Sequence, residues 1–207
     1  VNFDHLDHLS QMVEVEGELH RGVWIYAEPG LTDDAPYLLR GAPGEGEVCV
    51  DDVARAAIVY LWGAREGLVE HGLLYARQQL DFVLAMQAED GEFFNFVFED
   101  GRVNRVGITS RKGAGFWAAR ALWSLAEGMH AFAETDSAYY ERLKQAFLAG
   151  VAPFAANANA SYGTYLELNG RAAPAWFPGD GADQTAILLL GLSAFLELEH
   201  NDSVLTL

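Results

Sequence analysis

The sequence predicts a mainly α-helical chain built from helical hairpins, with short β excursions in the connecting loops. Three observations carry that expectation. Five segments show helical periodicity, the connections between them are glycine-rich and hold short aromatic stretches, and one unit recurs along the chain.

The first helical segment, residues 51–66 (DDVARAAIVYLWGARE), opens on two aspartates and runs into alanine-rich apolar sequence. Acidic residues suit the positive end of a helix dipole. Residues 72–88 place Leu73, Leu74, Ala76, Leu80, Val83, Leu84 and Met86 near helical spacing. Gly115–Ala133 repeats the alanine-rich character. Residues 137–156 begin at Ser137, a candidate N-cap, with Glu141 near the first turn. The last segment is Ala182–Glu199, and a short amphipathic start at Phe3–Met12 reads as a sixth. Between them lie residues 22–30 (GVWIYAEPG), 92–103 (EFFNFVFEDGRV) and 162–171 (YGTYLELNGR). Alternation beside Asp-Gly or Asn-Gly predicts small hairpins or extended excursions there.

Helix starts near 51, 115 and 182 recur at roughly 65 residues, which suits a two-helix unit with a long loop. Arg55 and Arg120 occupy matching points in DDVARAA and GFWAARA, and on that register Asp52 corresponds to Trp117 and lies near the phase of Asp183. Small residues at Ala54, Ala56, Ala57, Ala118, Ala119 and Ala121 allow close helix packing. These helices suit an inner layer, and their longer amphipathic partners an outer one.

At 207 residues, half of them hydrophobic, the chain can bury a sizeable core, and residues 1–207 read as a single domain with no linker. The net charge of −17 repels phosphate backbones and anionic membrane surfaces, so neither nucleic acid nor membrane is expected as a partner. The apolar run Ala186–Leu192 is too short to span a bilayer. Cys49 is the one cysteine, which excludes an intramolecular disulfide and a multi-cysteine metal site. No signal peptide is visible. The compartment stays open between the cytoplasm and export with a leader removed.

Several stretches carry a family resemblance: IYAE at 25–28, EVCVDDVARAA at 47–57, residues 82–110, GFWAARALWSLAEG at 115–128 and GADQTAILLLGL at 181–192. Together they resemble the (α/α) toroids of six-hairpin glycosidases, unsaturated uronyl hydrolases included. More closely, they resemble a poorly characterised bacterial group sharing the VDDVARA motif. The resemblance implies a toroid or partial toroid whose inner helices point their N-terminal ends at a carbohydrate cleft. Six hairpins need well over 300 residues at roughly 65 each, and this chain supplies about three. It is then a fragment of a larger ring, an open half-toroid, or one half of a pair. An open ring would leave an apolar flank, so a homodimer through that edge is expected.

Glycosidic hydrolysis usually needs one carboxylic acid to protonate the leaving oxygen and one carboxylate as base or nucleophile. Asp52 and Asp183, at matching phases of the repeat, are the candidate catalytic pair, with Asp51 beside them. The bland alternative for each is helix capping. Asp51 and Asp52 are also four and three residues before Arg55, within pairing distance on a helix. Asp180, Glu28 and Glu47 are loop carboxylates in reserve. Trp117, Trp123, Trp176, Tyr26 and Phe94 are candidates to stack on sugar faces, but Trp123 suits core packing better. Asn95 and Arg120 are candidates to hydrogen-bond hydroxyls, Arg120 also to grip a carboxylate, and Arg55 completes the binding set.

The six histidines show no HxxxH or HExxH spacing, so no metal and no cofactor is expected. Asp33, Asp34, Asp90, Glu99 and Asp100 are calcium-compatible in type, but Asp-Gly is more often a turn. Residues 41–47 (GAPGEGE) lack a phosphate loop's lysine, and no GxSxG elbow is present. The aspartate doublet is similar to the magnesium motif of terpene synthases, but Arg55 stands where a third aspartate would be needed. The leading expectation is a glycoside-hydrolase-like, carbohydrate-active protein taking an oligosaccharide, uronic-acid-containing ones included. A non-catalytic carbohydrate-binding module and a structural or assembly domain are the two alternatives.

Overall fold

The computed structural model describes residues 2–32, 35–177 and 181–205. About half of the chain is helical, and the chain divides into two compact units. The first comprises Val1–Met86 with Phe94–Lys112, the second Gln87–Phe93 with Gly113–Leu207. The division leaves no linker signature because the chain passes between units within a patterned stretch.

The first unit begins with α1 (Asp4–Leu9), which ends sooner than its amphipathic pattern suggests. Residues 10–12 instead open strand β1 (Ser10–Val15), paired antiparallel with β2 (Glu18–Val23). The turn between them has Glu16 at φ 50° and Gly17 at φ 93°, the two left-handed residues of a tight hairpin. Further short antiparallel pairs join β3 (Tyr26–Glu28) to β4 (Leu38–Arg40), and β5 (Val48–Cys49) to β6 (Phe96–Val97). Two helices supply the core. In α2 (Val50–Arg65), Val53, Ala54, Ala57, Ile58, Tyr60 and Leu61 are buried; in α3 (Gly72–Ala85), Ala76, Leu80, Phe82 and Val83 are. A short connection makes them antiparallel neighbours. Glycine permits a close approach between them: a Cβ on Gly72 would stand 2.7 Å from the Tyr60 carbonyl oxygen.

The second unit holds α4 (Phe116–Phe132), α5 (Ser137–Ser161), the hairpin β7 (Tyr165–Leu168) and β8 (Arg171–Pro174), then α6 (Ala182–Leu198) and α7 (Asp202–Leu205). The Asn-Gly signal is realised: Asn169 (φ 52°) and Gly170 (φ 75°) form the turn of the β7–β8 hairpin. The cap of α5 is Asp136 rather than Ser137, its carboxylate accepting the Tyr139 N–H at 3.0 Å. Aspartate and serine cap comparably, and the chain turns one residue earlier than the serine suggests. Helix α5 also runs past the expected residue 156 to Ser161, straight through Pro153. A proline at that position leaves the Ala149 carbonyl without its helical donor. Gly91 (φ 87°) packs against that same carbonyl, so closely that a Cβ there would lie 2.1 Å from the oxygen.

Helices α4 and α6 run parallel. Gly191 abuts the Trp123 backbone, and further along both helices His130 reaches the Ala194 carbonyl at 2.8 Å. A Cβ on Gly191 would stand 2.9 Å from the Trp123 nitrogen, so glycine sets this helix contact. Phe147 and Phe195, both fully buried, stack at 4.4 Å and tie α5 to α6. On α6, Leu189 and Leu190 are exposed. Among the described residues, no helix is long and apolar enough to cross a membrane.

Candidate functional site

Helices α2, α4 and α6 begin at positions 50, 116 and 182, an even spacing that matches the repeat in the sequence. The candidate residues cluster at those starts, and each unit is described by itself.

In the first unit, the N-cap of α2 is Cys49, with no side-chain cap, so neither aspartate is used for capping. Asp51 and Asp52 stand in the first turn, their side chains 15% and 27% exposed, and both face Arg55. The guanidinium pairs with Asp52 Oδ1 and approaches Asp51 Oδ2 at 3.6 Å, so the spacing-based expectation of pairing holds for both acids at once. The Cys49 thiol donates to Asp52 Oδ2 at 3.4 Å. Burial first, and then the Asp52 charge, push that thiol well above its ordinary range, which makes Cys49 a poor nucleophile.

Asn95 is a correction. It is 2% exposed, so it does not present its amide to a sugar hydroxyl. Its Oδ1 accepts the Asp51 N–H at 3.3 Å, its Nδ2 donates to the Thr109 carbonyl at 2.9 Å, and its own carbonyl accepts the Val50 N–H at 2.9 Å. Asn95 therefore positions the first turn of α2. Its local sequence is aromatic and alternating, and nothing in it marks a buried amide; the signal exists only once Thr109 and Asp51 converge.

Glu47 precedes β5, fixed by backbone hydrogen bonds from its N–H to Val97 and from Ile25 to its carbonyl. Partial burial, followed by the charge of Glu99, raises its carboxyl above the ordinary carboxylate value. A raised value in the fold means the ionised form is the disfavoured one. The associated stability is complete below the unfolded-state pKa and is lost as pH rises through the folded one. Glu47→Gln is therefore expected to leave the melting midpoint unchanged near pH 3 and to raise it slightly at pH 7. Thermal melts at the two pH values check this.

Glu28 and Tyr26 lie on the β3–β4 hairpin. Glu28 pairs with Arg40 at 2.9 Å, with both side chains at least half exposed, and Tyr26 is 58% exposed. Phe94 lies beneath Arg105, whose guanidinium carbon is 4.7 Å from the ring centroid.

A second polar cluster of this unit was not foreseen. Asp7 Oδ1 accepts from the Tyr60 hydroxyl at 2.5 Å and lies 3.0 Å from His71 Nε2; the hydroxyl in turn meets Ser10 Oγ at 3.3 Å. Burial and the Asp7 carboxylate push the Tyr60 phenol above its ordinary range. Asp7 and His71 stand on the wall of an open cavity of about 500 Å³, with Phe3, Asp4, Val69 and Glu70. These residues are up to 64 positions apart in the chain, so no spacing motif announces them.

In the second unit, Trp117 is partly buried and donates its indole N–H to the Phe93 carbonyl at 2.7 Å, which fixes the ring at the opening of α4. Arg120, one turn on, has its guanidinium carbon 5.5 Å from the Phe116 centroid. Trp123 donates to Glu127 at 3.1 Å along the same helix and is only partly buried, less enclosed than core packing suggests. Trp176 belongs to an aromatic group at the β7–β8 hairpin, with Tyr162 at 5.3 Å and Tyr165 at 5.4 Å between centroids. Asp183 is exposed in the first turn of α6, whose N-cap Gly181 makes no side-chain cap bond, so here too the carboxylate is not consumed by capping. Asp180, Asp33 and Asp34 lie outside the described residues.

Asp90 and Asp100 each accept a backbone N–H two residues on, from Glu92 and Arg102, the behaviour of turn aspartates. Among the described residues, no three His, Cys, Asp or Glu side chains converge as a metal site. The structure thus gathers Asp51, Asp52 and Arg55 in one unit, and Trp117 and Arg120 at one helix start in the other. No protein-family model matches this chain, and no curated protein matches it either.

Proposed function

We propose that the chain is a carbohydrate-active protein of glycoside-hydrolase type, an (α/α) toroid or part of one, acting on oligosaccharides, neutral or uronic-acid-containing. The observation that carries the reading is the even succession of α2, α4 and α6. Each of the three begins with polar or aromatic residues that are not spent on capping. In this chemistry Asp52, ion-paired with Arg55, is a candidate catalytic carboxylate, as base or nucleophile, and Asp183 is the other candidate carboxylate. Asp52 and Asp183 belong to different units. Glu47, in the same unit as Asp52, is the reserve acid, and its raised carboxyl suits that role. Among the candidate binding residues, Arg55 and Tyr26 stand in the same unit as Asp52, and Trp117 and Arg120 in the same unit as Asp183.

The exposed rings of Tyr162 and Tyr165 beside Trp176 favour a second reading, a non-catalytic carbohydrate-binding module that stacks sugars on the β7–β8 hairpin. The exposed Leu189 and Leu190 support the third, an assembly role with self-association along α6, checked by sedimentation velocity at micromolar concentration.

One experiment separates the three: thermal shift against neutral and uronic-acid oligosaccharides, with product analysis of every hit. A ligand bound only by the folded state raises the midpoint by mass action. A shift with cleaved products supports the hydrolase. A shift without products supports the binding module, and no shift across the panel turns the reading to assembly.

A further inference from the structure

Helix α2 is capped from a distant part of the chain. The first amides of a helix have no intrahelical acceptor and need one from elsewhere. The N-cap Cys49 makes no side-chain bond to them. Asn95 meets two of them instead: its carbonyl accepts the Val50 N–H at 2.9 Å, and its Oδ1 accepts the Asp51 N–H at 3.3 Å. A cap supplied across the fold leaves the carboxylates of Asp51 and Asp52 to face Arg55.

Asn95 is held in turn by the loop 104–110. Its N–H donates to the Ser110 carbonyl at 3.0 Å and its Nδ2 to the Thr109 carbonyl at 2.9 Å. The loop is locked from within by Asn104, which is 1% exposed. Asn104 Nδ2 donates to the Glu45 carbonyl at 2.8 Å, and its Oδ1 accepts the N–H groups of Val106 and Gly107 at 3.3 and 2.9 Å. Its backbone carbonyl accepts from Ser110 Oγ at 2.6 Å, and that buried hydroxyl accepts the Phe96 N–H at 2.8 Å. A buried amide costs desolvation unless it is paired, and these pairings fix Asn104 in one orientation. Among the described residues Asn104 makes no hydrogen bond to Asn95 or to α2, so it reaches the cap only through the loop.

We infer that Asn104 is a positioning residue for the proposed reaction: it locks the loop that holds Asn95, and through that cap it sets the first turn of α2, on which Asp52 stands. The inference rests on the hydrolase reading above. Its test compares the native chain with two variants. Asn104→Ala removes all three side-chain bonds, and Asn104→Asp keeps the acceptor for Val106 and Gly107 but loses the donor to Glu45. Two readouts are taken: hydrogen exchange of the Asp51 amide, and kcat and KM on 4-nitrophenyl β-D-glucoside and β-D-glucuronide. Protection of interior α2 amides such as Ala57 and Leu61 verifies the fold, and Asn104→Asp carries the test where Asn104→Ala does not fold.

The expected result is Asp51 exchange faster by about tenfold with interior protection kept, and a kcat lowered about ten- to a hundredfold at unchanged KM. A merely structural loop would not separate kcat from KM. Unchanged Asp51 exchange means that the loop does not hold the cap, and overturns the inference while leaving the hydrolase reading intact. Faster exchange with unchanged kcat overturns it as well, because the cap then does not place Asp52. No turnover of either glycoside by the native chain removes the hydrolase reading and the positioning role with it.

Discussion

The Asp52→Asn variant is expected to stay folded and to lose turnover of any hydrolysed saccharide by about 10²- to 10⁴-fold, the range that a positioned acid–base group contributes. Asparagine is nearly isosteric with aspartate and keeps an oxygen for Arg55, but it can neither take a proton from water nor carry negative charge toward a developing cation. The stability cost is small, because the Arg55 partner is half exposed and such pairs contribute about 0–1 kcal/mol. The informative measurement is kcat beside the melting midpoint. A lost kcat with an unchanged midpoint fits Asp52 as a reacting group. Unchanged turnover in a folded variant removes Asp52 from the chemistry and leaves it as the structural partner of Arg55. Asn95→Ala is the useful companion, since Asn95 acts only through the Asp51 N–H and the Thr109 carbonyl.

Gly91→Ala is expected to be among the most damaging single-methyl changes in the molecule. Two costs coincide there. The residue has φ 87°, a left-handed conformation that costs an L side chain about 1–2 kcal/mol. The added Cβ would also meet the Ala149 carbonyl oxygen at 2.1 Å, and a backbone atom cannot swing aside as a side-chain tip would. Overpacking of this kind costs about 1–3 kcal/mol. The sum, about 2–5 kcal/mol, is a large share of the 5–15 kcal/mol that stabilises an ordinary domain. It corresponds to a fall in melting midpoint of roughly 5–15 °C. Gly44→Ala is the control: φ is 81° and nothing lies within 4 Å of the new Cβ, so only the conformational cost remains. If the two variants melt together, the close approach to Ala149 is not what glycine serves at position 91.

Much of the helical layer was legible in the sequence because its determinants are local. Ala54, Ala57 and Tyr60 recur at helical spacing, and the core of α2 follows from that recurrence alone. Asn169-Gly170 specifies a tight hairpin through two residues that tolerate positive φ, and the hairpin is there. Arg55 lies three and four residues beyond its acids, so geometry on one helix fixes the pairing. Local chemistry was less decisive where two signals compete. Asp136 and Ser137 are both good caps, and only the entry angle of the chain selects the first.

What the tertiary structure decided are the features whose partners lie far away in the chain. Ser10–Met12 continues a helical pattern, yet it becomes strand because β2 offers a complete ladder of backbone partners, closed by Glu16-Gly17 rather than by a familiar turn pair. Helix α5 passes through Pro153 because buried Phe147, Val151 and Phe154 hold both sides of the proline. Asn95 reads as a polar residue in an aromatic strand and becomes a buried brace between Asp51 and Thr109. The Asp7–Tyr60–His71 cluster assembles from three helices' worth of sequence. The sequence by itself determined which segments are helical and which faces are apolar, since propensity and periodicity act within a turn or two. Which polar groups are buried, and to what they are bound, was decided by long-range packing, because a hydrogen bond that compensates desolvation takes its partner from wherever the folded chain brings one.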